Sequence, residues 1–384
     1  MEAFAKYIDH ERFRLTVVTV GTHDFHGFSQ EGNVSVFRIK PRSRVFTPTF
    51  KSSDSKLWHY SKVAWKKLLS KVSGDELGFF VSKAFAYLRD LDRTNKVHLV
   101  ISSFSPAAPH LAALKFCKTA DAKWIVDMRD EMSLNPQSDT ATRKYYAAIE
   151  AEIAKHAAAL TSVSQPIVDY FKMAIPGLKY YVEIRNGFDQ QLPKNSSQVN
   201  ETFTLLHAGS FYGTRKPDTL LKAVANLTSK GLMPANWKFI CAGAVKNFSI
   251  PDSITRHVEI QERVGQNEIF ERMCKSDLNI LIQPPTGRKG VYTGKIFEYI
   301  AAQKSILALV DPTDVAADLI RDFNAGYVVE FSDIAATERA ILTALDRWKH
   351  NEFLSTDPDR IMQLHRKYQV QKLNLLIEKL LHEK

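Results

Sequence analysis

Residues Pro284 to Gln303 read PPTGRKGVYTGKIFEYIAAQ, and this stretch decides the fold of the second half of the chain. It follows an apolar run, Leu278 to Ile282, that is typical of a buried strand. Three glycines then precede a helical pattern of apolar residues that begins at Ile296. The sequence therefore predicts a strand, a flexible loop and a helix in succession.

Basic side chains gather where the predicted helix begins. Lys295 lies in its first turn, where the helix dipole disfavours a cation, and Arg288 and Lys289 lie just upstream. A helix N-terminus with free N–H groups beside three basic side chains is a good site for a phosphate or diphosphate. Glu298, one turn further on, can accept hydrogen bonds from sugar hydroxyls. The alternative is a mobile surface loop with solvated charges.

The run GKIFEYIAAQKSILA, which starts at Gly294, resembles the donor-binding segment of family 4 glycosyltransferases of the GT-B fold. The resemblance is to the branch that builds bacterial surface polysaccharides. It implies that Lys295 and Glu298 hold the diphosphate and ribose of a sugar nucleotide. Many members carry an acid eight positions before that Glu, where this chain has Gly290. The resemblance also implies donor-binding roles for the loop residues Arg288, Lys289, Gly290, Tyr292, Thr293 and Gly294.

A second loop, HAGSFYGTRKPD, follows a predicted strand at Phe203 to Ala208. Its glycines, beginning with Gly209, free the backbone, and Arg215 and Lys216 precede a predicted helix. The resemblance implies that Lys216 and Arg215 reach the donor diphosphate, and that Lys216 takes part in catalysis. Where many members have an arginine directly after the first glycine, this chain has Ser210.

Two predicted strands in the first half end in polar side chains, which in a parallel sheet gather at the ligand-binding edge. Ser103 and His110 follow one strand, and Asp127, Arg129 and Asp130 follow the next. The Asp-x-Arg-Asp run resembles the acceptor side of the same branch. This implies catalytic candidates in Asp127 and His110 and acceptor-side residues in Ser103, Arg129 and Asp130. The alternatives are a salt-bridged turn around Arg129 and a packing role for His110.

Strand and helix patterns alternate in both halves, which predicts doubly wound α/β domains, and 384 residues suffice for two of them. With the resemblance, this predicts the GT-B fold: two Rossmann-like domains facing across a cleft. We expect residues 1–187 to bind the acceptor and residues 188–356 to bind the nucleotide-sugar donor. A C-terminal helix, 357–384, is expected to cross back to the first domain. Asp357 is expected to cap that helix, and no metal or cofactor is predicted.

The net charge of +10 is concentrated in residues 38–72, which hold ten basic residues and one acid. The predicted helix there, Lys56 to Val72, is basic and amphipathic and contains Trp65. It fits the surface of an anionic membrane, or it packs on the core as an ordinary helix. No nucleic-acid-binding motif accompanies the charge, so nucleic acid is not an expected partner.

Composition and the start of the chain give the expected location. The three cysteines show no metal-ligand spacing, no apolar run reaches the ~18 residues of a membrane helix, and no signal peptide is present. These features predict a cytoplasmic protein, peripheral at the inner membrane face. Because residues 1–13 read as a helix where family members open with a strand and a glycine-rich loop, we expect the native start to lie roughly 20 residues upstream.

The sequence and the resemblance together predict a glycosyltransferase. We expect it to move a hexosyl or N-acetylhexosaminyl group from a UDP-sugar to a glycan or polyprenyl-linked acceptor. The expected reaction retains configuration and uses no metal. The alternative is a non-catalytic relative that acts as a partner subunit or as a membrane-associated binding protein. A sugar-nucleotide epimerase of the same fold is a further alternative, although the acids that it needs near the sugar ring cannot be assigned.

Overall fold

A computed structural model describes residues 2–22, 24–41, 76–133, 135, 138–193, 200–243, 248–352, 354 and 356–383. The chain forms two compact units, one of Met1–Ile184 with Val370–Lys384 and one of Arg185–Gln369. The predicted basic helix at 56–72 lies outside the described residues. Within them, no helix combines the length and the apolarity that crossing a bilayer requires.

Two separate β-sheets lie in the described part of the first unit. Its strands are β1 (Leu15–Val20), β2 (Gly27–Glu31), β3 (Val34–Ile39), β4 (Leu99–Phe104), β5 (Lys123–Met128), β6 (Ala159–Ser162) and β7 (Tyr180–Glu183). The smaller sheet has the order β1-β3-β2, with β1 parallel and β2 antiparallel to β3. The larger sheet has the order β4-β5-β6-β7, and all four strands are parallel. Strand β2 escapes prediction because its sequence, GFSQE, has too few apolar residues to show a pattern.

The described residues of the first unit include five helices. They are α1 (Glu2–Tyr7), α2 (Glu76–Thr94), α3 (Ala108–Cys117), α4 (Thr140–His156) and α5 (Gln165–Ala174). Residues 124–128 of strand β5 are buried on both faces, as in a parallel strand that is covered on both sides. By contrast, β1 and the first half of β4 are only half-buried, and each pairs along one edge within the described residues.

The second unit contains one continuous sheet of six parallel strands. They are β8 (Phe203–Ala208), β9 (Trp237–Ala242), β10 (Val258–Gln261), β11 (Leu278–Ile282), β12 (Ser305–Val310) and β13 (Gly326–Glu330). Their order is β10-β9-β8-β11-β12-β13. From β8 the chain therefore builds the sheet in one direction, and from β11 it builds in the other. This is the doubly wound arrangement of a dinucleotide-binding domain.

Helices cover both faces of this sheet. They are α6 (Asp218–Ser229), α7 (Gln266–Lys275), α8 (Gly294–Ala301), α9 (Val315–Asp322) and α10 (Ile334–Lys349). One apolar cluster joins α7, α8 and α9 to one face, and a second joins α6 and α10 to the other. The predicted strand, loop and helix around residues 278–303 are all present, which places the start of α8 at the edge where β11 ends.

The C-terminal segment forms two helices where the sequence predicts one. These are α11 (Pro358–Met362) and α12 (Arg366–His382). The helix is interrupted because His365 forms a bridge with Phe188 and the Arg366 N–H donates to the Phe188 carbonyl at 3.0 Å. Asp357 caps α11 as predicted, since its carboxylate accepts from the Asp359 N–H at 2.9 Å. From Val370 onward α12 packs in the first unit, as the predicted crossover helix requires.

Candidate functional site

The best candidate site lies in the second unit, where the direction of sheet building changes between β8 and β11. These strands pair only through Leu205 with Leu278 and Leu206 with Asn279, and no further pairs follow along them. In open α/β sheets, ligands bind outside the carboxyl ends of the strands at such a switch point. The loop after β8 and the loop after β11 both start at this edge.

Two buried side chains take the place of the missing backbone pairs between β8 and β11. The Tyr299 hydroxyl accepts from the Ala208 N–H at 2.9 Å and donates to the Ile280 carbonyl at 3.3 Å. His207 Nδ1 donates to the same carbonyl at 3.0 Å, so Nδ1 carries the proton of the neutral ring. Sequence reasoning misses both residues. The only local signal is that Tyr299 follows Lys295 by four positions and so shares its helix face.

Lys295 lies directly against the backbone of Gly209. A Cβ atom at position 209 would overlap Cε and Nζ of Lys295, and the φ of Gly209 is +131°. The positive φ favours glycine, and any other residue there would displace the end of the Lys295 side chain. The two residues that the sequence picked out in separate loops therefore meet at the switch point.

The surroundings of Lys295 are positively charged. Burial lowers the pKa of Lys295, the charge of Arg215 lowers it further, and Glu298 opposes the shift. Arg215 is half-buried over the ring of Tyr212 at 5.0 Å, and its Nε has no hydrogen-bond partner among the described residues. Two cations held close together, with no salt-bridged acid among the described residues, form a site for an anion.

His207 is a buried residue next to the same two cations, and they also affect its pKa. It is 1% exposed and stacks on Phe211 with ring centroids 4.3 Å apart. Burial, together with the charges of Lys295 and Arg215, lowers the pKa of His207 to about 3. The ring is therefore neutral at physiological pH and adds no positive charge to that of Lys295 and Arg215.

Glu298 is held by two amide side chains. Its Oε1 accepts from Gln190 Nε2 at 3.4 Å and from Gln266 Nε2 at 3.3 Å. Glu298 is half-buried and follows Lys295 by three positions, so both project from one side of α8. A carboxylate in this place can accept hydrogen bonds from vicinal hydroxyls of a ligand whose phosphate lies at Lys295.

The other donor-side residues have varied surroundings. Lys289 Nζ pairs with Asp311 and with the Thr313 hydroxyl, each at 2.6 Å, and this lowers the pKa of Asp311 to about 2. The Gly290 N–H donates to Asp314 at 2.7 Å, which fixes the loop. Ser210 donates to the Gly243 carbonyl at 2.9 Å. Lys216 is exposed, Arg288 and Tyr292 are half-buried, and Thr293 and Gly294 begin α8.

In the first unit, Asp127 is a fully engaged buried charge. It is 0% exposed, and its oxygens accept from Ser103 Oγ, Thr161 Oγ1 and Arg129 Nε, each at 2.8 Å. Arg129 also donates to the Ile184 carbonyl at 3.2 Å. This geometry is that of the salt-bridged turn that the sequence left open. Asp130 is exposed beside it.

His110 also lies inside the first unit and is 0% exposed. Ser102 Oγ accepts from Trp124 Nε1 at 2.8 Å and forms a second hydrogen bond with His110 Nδ1 at 2.6 Å. Burial lowers the pKa of His110 to about 4. The sequence placed this residue among the catalytic candidates, but its surroundings are those of a packed, neutral core histidine.

A cavity of about 520 Å³ lies elsewhere in the second unit, along α7 and the face of the sheet. Its cations have acid partners: Lys238 pairs with Glu259 at 2.8 Å, and Arg272 pairs with Glu268 at 2.6 Å. Because these charges are neutralised, the cavity lacks the unbalanced field found at Lys295, and we do not assign the site to it.

Comparison with known proteins gives matches among solved structures only, since no family model and no curated protein sequence matches the chain. HepE of Anabaena, in complex with UDP, aligns with a TM-score of 0.61 at 15% identity over 82% of this chain and 89% of its own. A TarM variant of S. aureus, in complex with fondaparinux, alpha-GlcNAc-glycerol and UDP, aligns with a TM-score of 0.56 at 13% identity. The pneumococcal O-GlcNAc transferase GtfA, in complex with UDP and GlcNAc, aligns with a TM-score of 0.50 at 15% identity.

The alignments with TarM and GtfA each cover 79% of this chain and only 59% and 60% of those longer proteins. HepE is covered over most of its length, and a second HepE complex, with UDP-glucose, aligns over 95% of this chain with a TM-score of 0.60. These neighbours are GT-B glycosyltransferases built from two Rossmann-like domains. The fold predicted from the sequence is therefore confirmed: the chain has the GT-B fold.

Proposed function

We propose that the protein is a glycosyltransferase that uses a nucleoside-diphosphate sugar, and that the second unit binds this donor at the β8–β11 switch point. The observation that carries the proposal is the contact of Lys295 with Gly209 beside Arg215, which concentrates unpaired positive charge at a ligand-binding edge. A diphosphate is the anion that best balances two adjacent cations. Glu298 then accepts hydrogen bonds from the ribose hydroxyls.

The proposed chemistry is electrostatic. As the bond between the sugar and the diphosphate breaks, negative charge grows on the leaving group, and preorganised cations stabilise it most in the transition state. Lys295 and Arg215 supply that charge, and Lys216 reaches in from the same loop. The reaction needs no metal in this scheme, because the cations do the work of a Lewis acid. We further propose retention of configuration, with the diphosphate assisting attack on the same face of the sugar.

The proposed donor is a UDP-sugar, and the proposed acceptor is a glycan or polyprenyl-linked intermediate of polysaccharide biosynthesis. The support for UDP comes from the neighbours of the same fold, several of which are complexes with UDP. The first unit, which we propose to bind the acceptor, offers the exposed Asp130 at the end of β5. We also propose that the basic segment 38–72 holds the protein at the inner face of the membrane, where an anionic surface attracts lysines.

Thermal unfolding with added nucleotides tests the donor site. UDP, GDP, ADP and CMP are each added to the wild type and to Glu298→Ala. A ligand at a hundred times its dissociation constant adds ~2.7 kcal/mol to the free energy of unfolding and raises the melting temperature visibly. We expect UDP to stabilise the wild type strongly and the variant weakly. If no nucleotide stabilises the wild type, the proposed donor site is wrong.

The second candidate is a non-catalytic GT-B protein that binds a nucleotide or a partner without turnover. The observation that favours it is the complete burial of Asp127 and His110, which leaves neither with an exposed atom for acid–base work. Release of free sugar from UDP-glucose and UDP-N-acetylglucosamine separates the two candidates. Slow hydrolysis that Lys295→Met abolishes supports the enzyme, whereas UDP binding without any hydrolysis or transfer supports the non-catalytic protein.

A further inference from the structure

We infer that Tyr299 and His207 are positioning residues that hold Lys295 at the anion site from the interior of the second unit. This inference rests on the proposed donor site and deepens it. Both side chains are buried, at 0% and 1% exposure, so neither is placed to touch a ligand directly. Their effect has to pass through the backbone of the loop after β8 and through helix α8.

Side chains of helix α8 contact two consecutive residues where that loop begins. The Tyr299 hydroxyl binds the N–H of Ala208, and Lys295, one turn earlier on the same helix face, covers Gly209. The same hydroxyl donates to Ile280 of β11 and so ties both strands to the helix. This one hydroxyl therefore connects α8, the helix that carries Lys295, to both strands at the switch point.

His207 secures the other side of the same junction. Its Nδ1 donates to the Ile280 carbonyl, which therefore accepts two hydrogen bonds, and its ring stacks on Phe211 in the loop that leads to Arg215. Because β8 and β11 are not paired here, the Ala208 N–H and the Ile280 carbonyl would be buried without partners if these side chains were lost. Buried unpaired backbone groups are unfavourable, so the loop would shift to find new partners.

The first test follows Lys295 itself and needs no ligand. Acetic anhydride labels lysines in their neutral form, and mass spectrometry of the labelled protein across a pH series gives the titration of Lys295. The groups facing it are Arg215 and Glu298, with His207 neutral. Burial and the charge of Arg215 lower the pKa of Lys295, and Glu298 opposes this shift. We expect Tyr299→Phe to move the titration of Lys295 towards that of an ordinary lysine.

The controls use matched side chains of the same unit. Tyr327 on β13 carries a buried hydroxyl with no hydrogen-bond partner among the described residues, so Tyr327→Phe should leave Lys295 unchanged. His207→Asn keeps a donor near the place of Nδ1 and should behave as wild type, whereas His207→Leu removes it. An unchanged titration of Lys295 in both Tyr299→Phe and His207→Leu would overturn the inference.

The second test is a binding cycle with UDP measured by calorimetry. Losing the two positioning hydrogen bonds of the Tyr299 hydroxyl should weaken UDP binding about tenfold in Tyr299→Phe. If Tyr299 acts through Lys295, the double variant with Lys295→Met binds no more weakly than Lys295→Met alone. Additive losses would show that Tyr299 does not act through Lys295. If wild type binds no UDP, the donor proposal fails, and the labelling experiment still decides the positioning inference.

Discussion

Each unit holds a charge near the carboxyl end of a strand, but the two charges have opposite surroundings. Asp127 in the first unit accepts three hydrogen bonds and pairs with Arg129. Lys295 in the second unit lies beside another cation, and Glu298 is the acid that opposes its shift. The two charges therefore differ in their partners more than in their burial. A charge with hydrogen-bonding and ionic partners is satisfied and stabilises the fold, whereas a charge without them is available to a ligand.

The largest expected effect comes from removing the satisfied charge. Asp127→Ala leaves Arg129 without its carboxylate and two hydroxyls without their acceptor. Breaking a buried pair in this way costs about 3–5 kcal/mol of unfolding free energy. Urea denaturation measures the loss, and the exposed Asp121, just before β5, gives the control Asp121→Ala, which should change stability little. Equal losses in the two variants would contradict a structural role for Asp127.

Lys295→Met is expected to weaken ligand binding without lowering stability, in contrast to Asp127→Ala. UDP binding should weaken by about a hundredfold, because a charge-assisted contact to the diphosphate is lost. The unfolding free energy of the ligand-free protein should hold or rise slightly, since the variant relieves repulsion from Arg215. Lys238→Met, in which the lost lysine pairs with Glu259, is the matched control and should bind UDP as wild type does. A clear loss of stability in Lys295→Met would mean that the lysine is structural.

The comparison also shows what the sequence could and could not reveal. The strand, loop and helix at 278–303 follow from local patterns, and the type and place of Lys295 and Glu298 follow with them. The contact of Lys295 with Gly209 could not be predicted, because it depends on β8 and β11 being neighbours, some 70 positions apart in the chain.

The roles of the polar residues were hidden for a similar reason. Asp127 has the same sequence surroundings whether it is exposed or satisfied, and it is the hydroxyl of Thr161 on the neighbouring strand β6 that decides the matter. Tyr299 and His207 matter because two strands stop pairing beside them. No periodicity in either segment signals such a break in the ladder.

Acidification should lower the stability of the protein through its two buried histidines, His110 and His207. Burial lowers the pKa of His110 to about 4 and that of His207 to about 3, against 6.5 in the unfolded chain. Between pH 6.5 and pH 4 the unfolded state therefore binds more protons than the folded state. The free energy of unfolding falls as the pH falls through this range. Each histidine contributes at most about 1.4 kcal/mol per pH unit.

Two carboxyls oppose this trend, Asp277 and Glu150, since burial raises the pKa of each. Burial raises the pKa of Asp277 to about 6, so below that pH the folded state takes up a proton and gains stability. The net loss between pH 6 and pH 5 should then be no larger than that of a single histidine. Unfolding curves at pH 7, 6 and 5 for the wild type and His110→Gln test this. A variant with the same pH dependence as wild type would mean that His110 is not buried in its neutral form.

The smallest effect is expected for a lysine of the donor site that already has an acid partner. The sequence places Lys289 with Lys295 among the donor-binding residues, yet Lys289 already pairs with Asp311 and is half-exposed. An exposed pair of this kind is worth about 0–1 kcal/mol, so Lys289→Met should change UDP affinity by less than about fivefold and stability only slightly. Calorimetry beside Lys295→Met gives the contrast directly. If Lys289→Met weakened UDP binding as much as Lys295→Met does, a partnered cation would serve the ligand as well as an unpaired one, and satisfaction would no longer distinguish the two kinds of charge.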